Sequence, residues 1–457
     1  LNQEKRPLQK KNKNDSIQIL DDDENYQIII NKKLIQRLTP FELSNSILTA
    51  ISPLFLNQSQ PTQKQFQPKL NISNFKHIAF FIEHMPHYTG GRYSIFHQAV
   101  LLSQYTKVTV VTNNIPPFYD DFKDYYSENF QIKTSINYLL DEDINNFDLI
   151  IGCPVKGGLY AEQYSKKFNL PLYLILFESP NWVKKFREGA DADENFWNDY
   201  RRCLAEADKI MVPSNESKKH IIEWFNNWDM NIKAGMNDIK VVYPCLNQVV
   251  ADKIKYHRIN VKQKNSKYNV VYISRMTPGK SIVPILKKFP KTKYHFDLIG
   301  KIWSDSKPEL EKLIEQGYDI TIHNKLNDEE KFKIIAEANV MAFPSKFEGF
   351  GMPPMEALYF NVPVVAYDLP VLREIYGDKI NYADVGNVSE FIGKIRQVCE
   401  RKANLNGDRV LKQENKGIEG LDFSLIKTCT NKLLDICNIP KISVGIIVYN
   451  GSDYIEQ

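Results

Sequence analysis

The feature that most constrains this chain is a series of short apolar runs, each followed by a segment long enough for a helix, and the series is written twice. The first comprises KHIAFFI (76–82), KVTVVT (107–112), DLIIG (148–152), PLYLILF (171–177), DKIMVP (208–213) and IKVVYP (239–244). After a bridge rich in Lys and Asn near 260–269, the second comprises NVVYIS (269–274), YHFDLIG (294–300), YDITIH (318–323), ANVMAFP (338–344) and VPVVAY (362–367). A strand with one face in water alternates apolar and polar residues. Strands that read apolar almost throughout, spaced by crossover helices, belong to a parallel sheet covered on both faces. The predicted fold class is therefore α/β, with two doubly wound, Rossmann-like domains at residues 75–250 and 251–440 facing a central cleft. Proteins of this class bind ligands at the carboxyl ends of their strands, so function is sought in that cleft.

Length and composition agree. The chain has 457 residues, about three times the usual domain of roughly 150. Hydrophobic residues make up 43% and charged residues 25%, which excludes a wholly disordered chain. Lys and Arg number 59 against 55 Asp and Glu, and a net charge of +4 is too small to indicate a nucleic-acid partner. The six cysteines, at 153, 203, 245, 399, 429 and 437, contain no CxxC pair, and reduced thiols in a cytosolic protein are expected. No stretch approaches the ~18 apolar residues of a membrane span. The expected location is the cytoplasm, with peripheral contact at the inner face of the plasma membrane as an option. Residues 1–74 read as an N-terminal extension or linker, with one periodic piece at 40–56 and a linker-like QSQPTQKQFQP at 58–68. The chain opens on Leu1 and stops inside an apolar segment, so both ends read as candidate cuts from a longer polypeptide.

The segment richest in chemistry is FPSKFEGFGMPPMEALYFNVPVVAYDLPVLREI, from Phe343 to Ile375. A Gly-rich turn entering a helix, expected to begin near Pro354, offers the backbone N–H groups of Gly349, Phe350, Gly351 and Met352 to a diphosphate, aided by the helix dipole. Glu356 then lies about one turn into the helix, where it could accept hydrogen bonds from vicinal hydroxyls, while Glu348 precedes the turn near the phosphate end. The bland alternative is a solvated loop carboxylate and a dipole partner.

In its context, PS-x-x-E-G-F-G-x-P-x-x-E-A followed by P-V-V-A, the segment resembles family 4 of the retaining glycosyltransferases, which have the GT-B fold. The resemblance runs from about Phe75 to Cys437. It implies that Glu348 contacts the transferred sugar and Glu356 the nucleotide ribose. YISRMTPGKS (272–281) resembles the family's strand-turn element, which implies that Arg275 and Lys280 hold the donor diphosphate. A leaving nucleoside diphosphate gains negative charge as the glycosidic bond breaks, and two fixed cations stabilise it without a metal. FDLIGK matches the next strand, with Gly300 read as a turn residue, and the backbone near His323–Leu326 corresponds to the segment that reads the base. In the first domain Gly90, Gly91 and Arg92 match a glycine loop bordering the cleft, although a plain turn with a helix start fits as well. The family often has a His after the fourth strand. This chain has Glu178 and Ser179 there, and Glu178 becomes a candidate catalytic contact to sugar or acceptor.

Other groupings weigh less. His84 and His87 lack a clear third metal ligand. The triplets at Asp21–Asp23, Asp141–Asp143 and Asp191–Asp193 are read as solvated loops rather than metal-binding Asp-x-Asp sites, so no metal and no cofactor are expected. Trp182 with Lys184, Lys185, Phe186 and Arg187 suits an anionic membrane surface or, equally, a lid over the acceptor. The tail KISVGIIVYNGSDYIEQ (441–457) resembles the opening of a family 2 glycosyltransferase of the GT-A fold, with a first strand over Ile442–Val448. The expected function is transfer of a sugar, with retention, from a nucleotide-sugar donor to a glycan or lipid-linked acceptor in bacterial surface-polysaccharide synthesis. The competing expectation is a catalytically silent sugar-nucleotide-binding scaffold. A dinucleotide-dependent dehydrogenase is disfavoured, because no G-x-G-x-x-G follows the first strand of either domain.

Overall fold

The computed structural model describes residues 17–22, 25–31, 75–84, 89–136, 146–177, 194–228, 232–258, 267–302, 304, 306–404, 424–437, 446–450 and 453–455. Contacts divide the chain into two compact units, residues 73–439 and residues 1–72 with 440–457.

The smaller unit begins with β1 (Ile17–Asp22) and β2 (Asn25–Asn31), an antiparallel pair with Asp22 opposite Asn25. This corrects the loop reading of the first acidic triplet, because Asp21 and Asp22 close a strand. The Ile17, Ile19 alternation and the β-branched run Ile28–Ile30 carry that strand character, which the surrounding Gln, Asn and Lys obscure in composition.

The larger unit contains both sheets. In the first, β3 (His77–Ile82), β4 (Lys107–Thr112), β5 (Phe130–Lys133), β6 (Leu149–Gly152), β7 (Leu172–Ile175), β8 (Lys209–Val212) and β9 (Ile239–Val241) lie parallel in the order β5-β4-β3-β6-β7-β8-β9. In the second, β10 (Tyr268–Ile273), β11 (Tyr294–Ile299), β12 (Ile320–His323), β13 (Val340–Phe343), β14 (Val364–Tyr367) and β15 (Asn381–Ala383) run in the order β12-β11-β10-β13-β14-β15. All eleven apolar runs contain a strand. β5 and β15 are additional edge strands, short and of mixed sequence, FQIK and NYA.

Burial on two faces explains the apolar runs. Ile78, Phe80 and Ile82 of β3 enter one core, while Ala79 and Phe81 enter another behind the sheet. Val270 and Tyr272 of β10 likewise part from Val271. Each large side chain fully buried this way stabilises the fold by about 1.5–3 kcal/mol.

Six helices matter below: α1 (Gly90–Leu102), α2 (Asn215–Trp228), α3 (Asp328–Glu337), α4 (Met352–Tyr359), α5 (Pro370–Tyr376) and α6 (Ser424–Ile436). The chain returns to the first domain through α6. Leu433, Leu434 and Ile436 join that domain's core, and Lys209 Nζ donates to the Ile436 carbonyl at 3.0 Å. Beyond it, β16 (Ile446–Asn450) pairs parallel with β2 and antiparallel with β17 (Asp453–Ile455). The tail strand is thus set two to four residues later than expected, and its partners come from the N-terminal segment. The periodic piece at 40–56 and the linker-like stretch lie outside the described residues.

Both sheets reverse strand order at one point, between β3 and β6 and between β10 and β13. At such a switch point the loops leave in opposite directions and open a crevice. The domains are clasped at its rim by a carboxylate. Glu374 of α5 accepts hydrogen bonds from the backbone N–H of Asn215 at 2.8 Å and of Glu216 at 3.0 Å, capping α2 from the other domain, and from Tyr243 Oη at 3.0 Å. A helix end without its cap loses about 1 kcal/mol. Glu374→Ala is expected to lower the calorimetric Tm by about 2 °C, and an unchanged Tm would show that water replaces the cap.

Candidate active site

The two signature loops of the second domain meet at its switch point. The loop after β10 carries Arg275 and ends in a 3₁₀ turn, Pro278–Lys280, while the loop after β13 carries Glu348 to Gly351. They are stitched by the Lys346 N–H donating to the Gly279 carbonyl at 3.2 Å. Lys280, only 7% exposed, donates to Glu348 Oε1 at 2.6 Å, to Ser345 Oγ at 2.9 Å and to the Phe347 carbonyl at 3.0 Å. Two residues that the sequence placed 68 positions apart are therefore one ion pair. The half-buried Arg275 guanidinium makes no hydrogen bond or ion pair among the described residues, so it is the cation at hand for an incoming anion.

Two glycines make this geometry. Gly351, at φ +86°, caps α4 in the left-handed region, and its carbonyl accepts from the buried Tyr376 hydroxyl. A Cβ there would lie 2.8 Å from Leu372. Gly300, at φ +139°, passes so close to the Arg275 loop that a Cβ would meet the Ser274 carbonyl at 2.1 Å. Its role as a turn residue thus includes holding that loop. Helix α4 starts at Met352, two residues earlier than expected. Pro353 and Pro354 carry no N–H, so the donors offered to an anion are those of Gly349 to Met352. Phe350 is buried between Tyr243 and Tyr376, and Met352 packs against cores of both domains.

Glu356 departs from the open carboxylate that the sequence suggested. It is 3% exposed, and Oε1 accepts from Lys331 Nζ at 2.9 Å. Burial raises its pKa from the ordinary value, against the pull of Lys331. Lys331 also bridges to Asp328 Oδ1 at 2.7 Å. Neither residue was singled out from sequence. The capping box in which Asn327 Oδ1 accepts from Glu330 N, and Glu330 returns a bond to Asn327 N, signals the helix start that places Asp328 and Lys331 on one face. Nothing local signals that this face meets Glu356.

In the first domain, Gly90 and Gly91 open α1, with Gly91 against the Phe177 ring past β7, and Arg92 Nε donates to the Glu83 carbonyl. His84 is 1% exposed, lies edge-on to Phe96 and Phe118, and has no hydrogen-bond partner on either ring nitrogen among the described residues. Burial, assisted by Arg92, lowers its pKa to about 3, so it is neutral. Glu178, Ser179, His87, the Trp182–Arg187 stretch and the triplets at 141–143 and 191–193 lie outside the described residues. Among the described residues no group of three side chains is placed to hold a metal, and no helix is long and apolar enough to cross a membrane.

At the segment expected to read a base, His323 Nε2 lies 2.7 Å from Asp297 Oδ1, and His295 bridges Asp297 at 3.3 Å and Asp319 at 2.9 Å. Burial tends to raise the Asp297 pKa, yet the hydrogen bonds to both imidazoles hold it below the usual value.

Residues 252–416 match the family model of glycosyl transferases group 1. A protein of the cps region of Klebsiella pneumoniae is 28% identical over 174 residues, covering 35% of this chain and 47% of that protein. The O-antigen chain mannosyltransferase B of Escherichia coli is 31% identical over 137 residues, covering 28% of this chain and 35% of that enzyme. The chain thus spans between a third and a half of these relatives' length. Among solved structures, Anabaena HepE in complex with UDP-glucose aligns with a TM-score of 0.60 over 79% of this chain and 99% of its own, at 16% identity. The fold is that of the GT-B glycosyltransferases: two Rossmann-like α/β domains about a cleft.

The imidazole cluster yields a pH dependence. Hydrogen bonding to Asp297, opposed by burial and aided by Asp319, raises the His295 pKa from 6.5 to about 9. A raised folded-state value means that the protonated form stabilises the fold. The contribution is complete below about pH 6.5 and disappears as pH rises through about 9. Denaturant melts at about pH 6 and about pH 10 should show the wild type losing more stability than His295→Gln. Equal losses would remove His295 from the account.

Proposed function

We propose that this chain transfers a sugar from a nucleotide-sugar donor, held by the second domain, to a glycan or lipid-linked acceptor at the first, with retention of configuration and without a metal. The observation that carries the reading is the Lys280–Glu348 pair on the loops that also carry Arg275, set at the switch point of a sheet whose sequence matches the model of glycosyl transferases group 1. The donor diphosphate takes the N–H groups of Gly349, Phe350, Gly351 and Met352, and Arg275 and Lys280 neutralise the charge that gathers on the departing phosphate. Once Lys280 turns to phosphate, Glu348 is released toward the transferred sugar. Glu356 receives the ribose hydroxyls. The Gly90–Gly91 loop with Arg92, and Glu178, border the acceptor side. Attack and departure take place on one face of the sugar, and the leaving phosphate oxygen takes the acceptor proton, so no side-chain nucleophile is required. Closure of the cleft keeps water from competing. The mannosyltransferase relative, named for O-antigen chains, favours surface polysaccharide as the acceptor class. In the same reading the tail beyond residue 440 opens a GT-A-like domain, and its removal leaves donor binding unaltered.

The test is a turnover screen with UDP-, GDP- and dTDP-sugars. Lys280→Ala and Glu356→Ala should each lower kcat/KM by about 10–150-fold while circular dichroism remains native, since each removes a charge-assisted contact of ~1.5–3 kcal/mol. Binding without turnover would favour the scaffold instead. Transfer should also survive EDTA, whereas loss on chelation with recovery in Mn²⁺ would overturn the metal-free mechanism.

A further inference from the structure

One buried polar chain crosses from the first domain to the second. The Tyr93 hydroxyl, in the first turn of α1 two residues after the glycine pair, donates to Asp328 Oδ2. Asn247, in the connection between the domains, donates through Nδ2 to the same oxygen at 2.9 Å and to the Asp121 carbonyl at 2.9 Å. The Asp328 N–H donates to Asp121 Oδ1 at 3.2 Å. On its other side Asp328 accepts from Lys331, whose ammonium also bonds Glu356 and lies 5.6 Å from the centre of the Tyr93 ring. The path therefore runs Tyr93, Asp328, Lys331, Glu356, with Asn247 and Asp121 bracing its middle.

The charges in this chain are unbalanced. Among the described residues, Lys331 is the ammonium shared by Asp328 and Glu356, and it also acts on Asp121. Burial, followed by the proximity of Asp328, raises the Asp121 pKa to about 7, and burial also raises that of Glu356. A carboxylate in such a setting is sensitive to each hydrogen bond that it gains. A vicinal diol donating to Glu356 would stabilise its ionised form and draw Lys331 toward it. Asp328, less fully shared with the ammonium, then becomes the stronger acceptor for Tyr93 and Asn247.

We propose that Tyr93, Asp328 and Lys331 are positioning residues that tie the ribose-facing Glu356 to α1 of the first domain, so that donor engagement and seating of the glycine-loop helix on the second domain strengthen each other. Such coupling is reciprocal by thermodynamic necessity. The inference rests on the donor-site reading above, since it takes Glu356 as the carboxylate that meets the ribose.

A double-mutant cycle tests it, with donor affinity measured by titration calorimetry on the full chain. The probe is whichever of UDP-glucose, GDP-mannose and dTDP-glucose the wild type binds. Tyr93→Phe and Glu356→Gln are each expected to weaken binding about 10-fold, and the double variant about 10–20-fold, where independent sites would give about 100-fold. Tyr382→Phe, which removes a hydroxyl bonded within the second domain, to the carbonyls of Leu372 and Gly377, should leave affinity unchanged. Should Tyr93→Phe fail to fold, Asn247→Ala removes the second donor to the same Asp328 oxygen and replaces it in the cycle. Multiplicative losses, or an equal effect of Tyr382→Phe, would overturn the coupling while leaving the donor site in place. Wild type that binds none of the three nucleotide sugars would overturn the donor-site reading, and the coupling with it.

Discussion

The structure depends on the burial of both faces of each parallel sheet. In strands such as β3 and β10 the apolar side chains enter a core on each face, and a buried polar group among them needs a partner, as His77 finds in Thr109. Chemistry is pushed to the strand ends, where backbone and charged groups can meet a ligand. In the second domain the reversal of strand order then decides which ends matter, because at β10 and β13 the two departing loops diverge around an opening. Arg275, Lys280, Glu348 and Gly351 all come from those two loops.

The charges gathered there are handled in two ways. Lys280 and Glu348 form a small, nearly dry pair, with Ser345 and the Phe347 carbonyl completing the ammonium's shell. Removing one member of such a pair leaves the other without compensation, so its geometry is held more firmly than a surface ion pair. Glu356, by contrast, belongs to a longer chain that ends in the other domain. One grouping is local to the second domain, and the other joins the two domains. Glu374 adds a peripheral clasp through the end of α2, and Ser217 of that helix donates to the Gly349 carbonyl at 3.2 Å, so the donor loop itself touches the first domain.

Much of this was legible in the chain. The eleven apolar runs gave the strands, because two-faced burial leaves a mark in every residue. The short edge strands β5 and β15, of four and three residues with mixed sequences, left none. The motif around Phe343–Ile375 identified Glu348 and Glu356, and the strand-turn element gave Arg275 and Lys280. Asn327 and Glu330 marked the start of α3, which alone would have aligned Asp328 with Lys331. Their meeting with Tyr93 could not be read, since a tyrosine in an apolar helix has the same local sequence whether its hydroxyl reaches water or a carboxylate.

The sequence by itself therefore determined the two-domain α/β architecture, the order of its strands along the chain and the residue types at its donor loops, because these follow from periodicity, turn chemistry and local spacing. Tertiary structure decided which charges neutralise one another. It joined Lys280 to Glu348 across 68 residues and Asp328 to Tyr93 across 235. It also turned Glu356 from an open carboxylate into a buried one, and it gave the tail strand β16 a partner in β2. The physical reason is range. Hydrogen bonds and buried ion pairs act over a few ångströms in space, and only packing of the finished sheets determines which distant residues come within that reach.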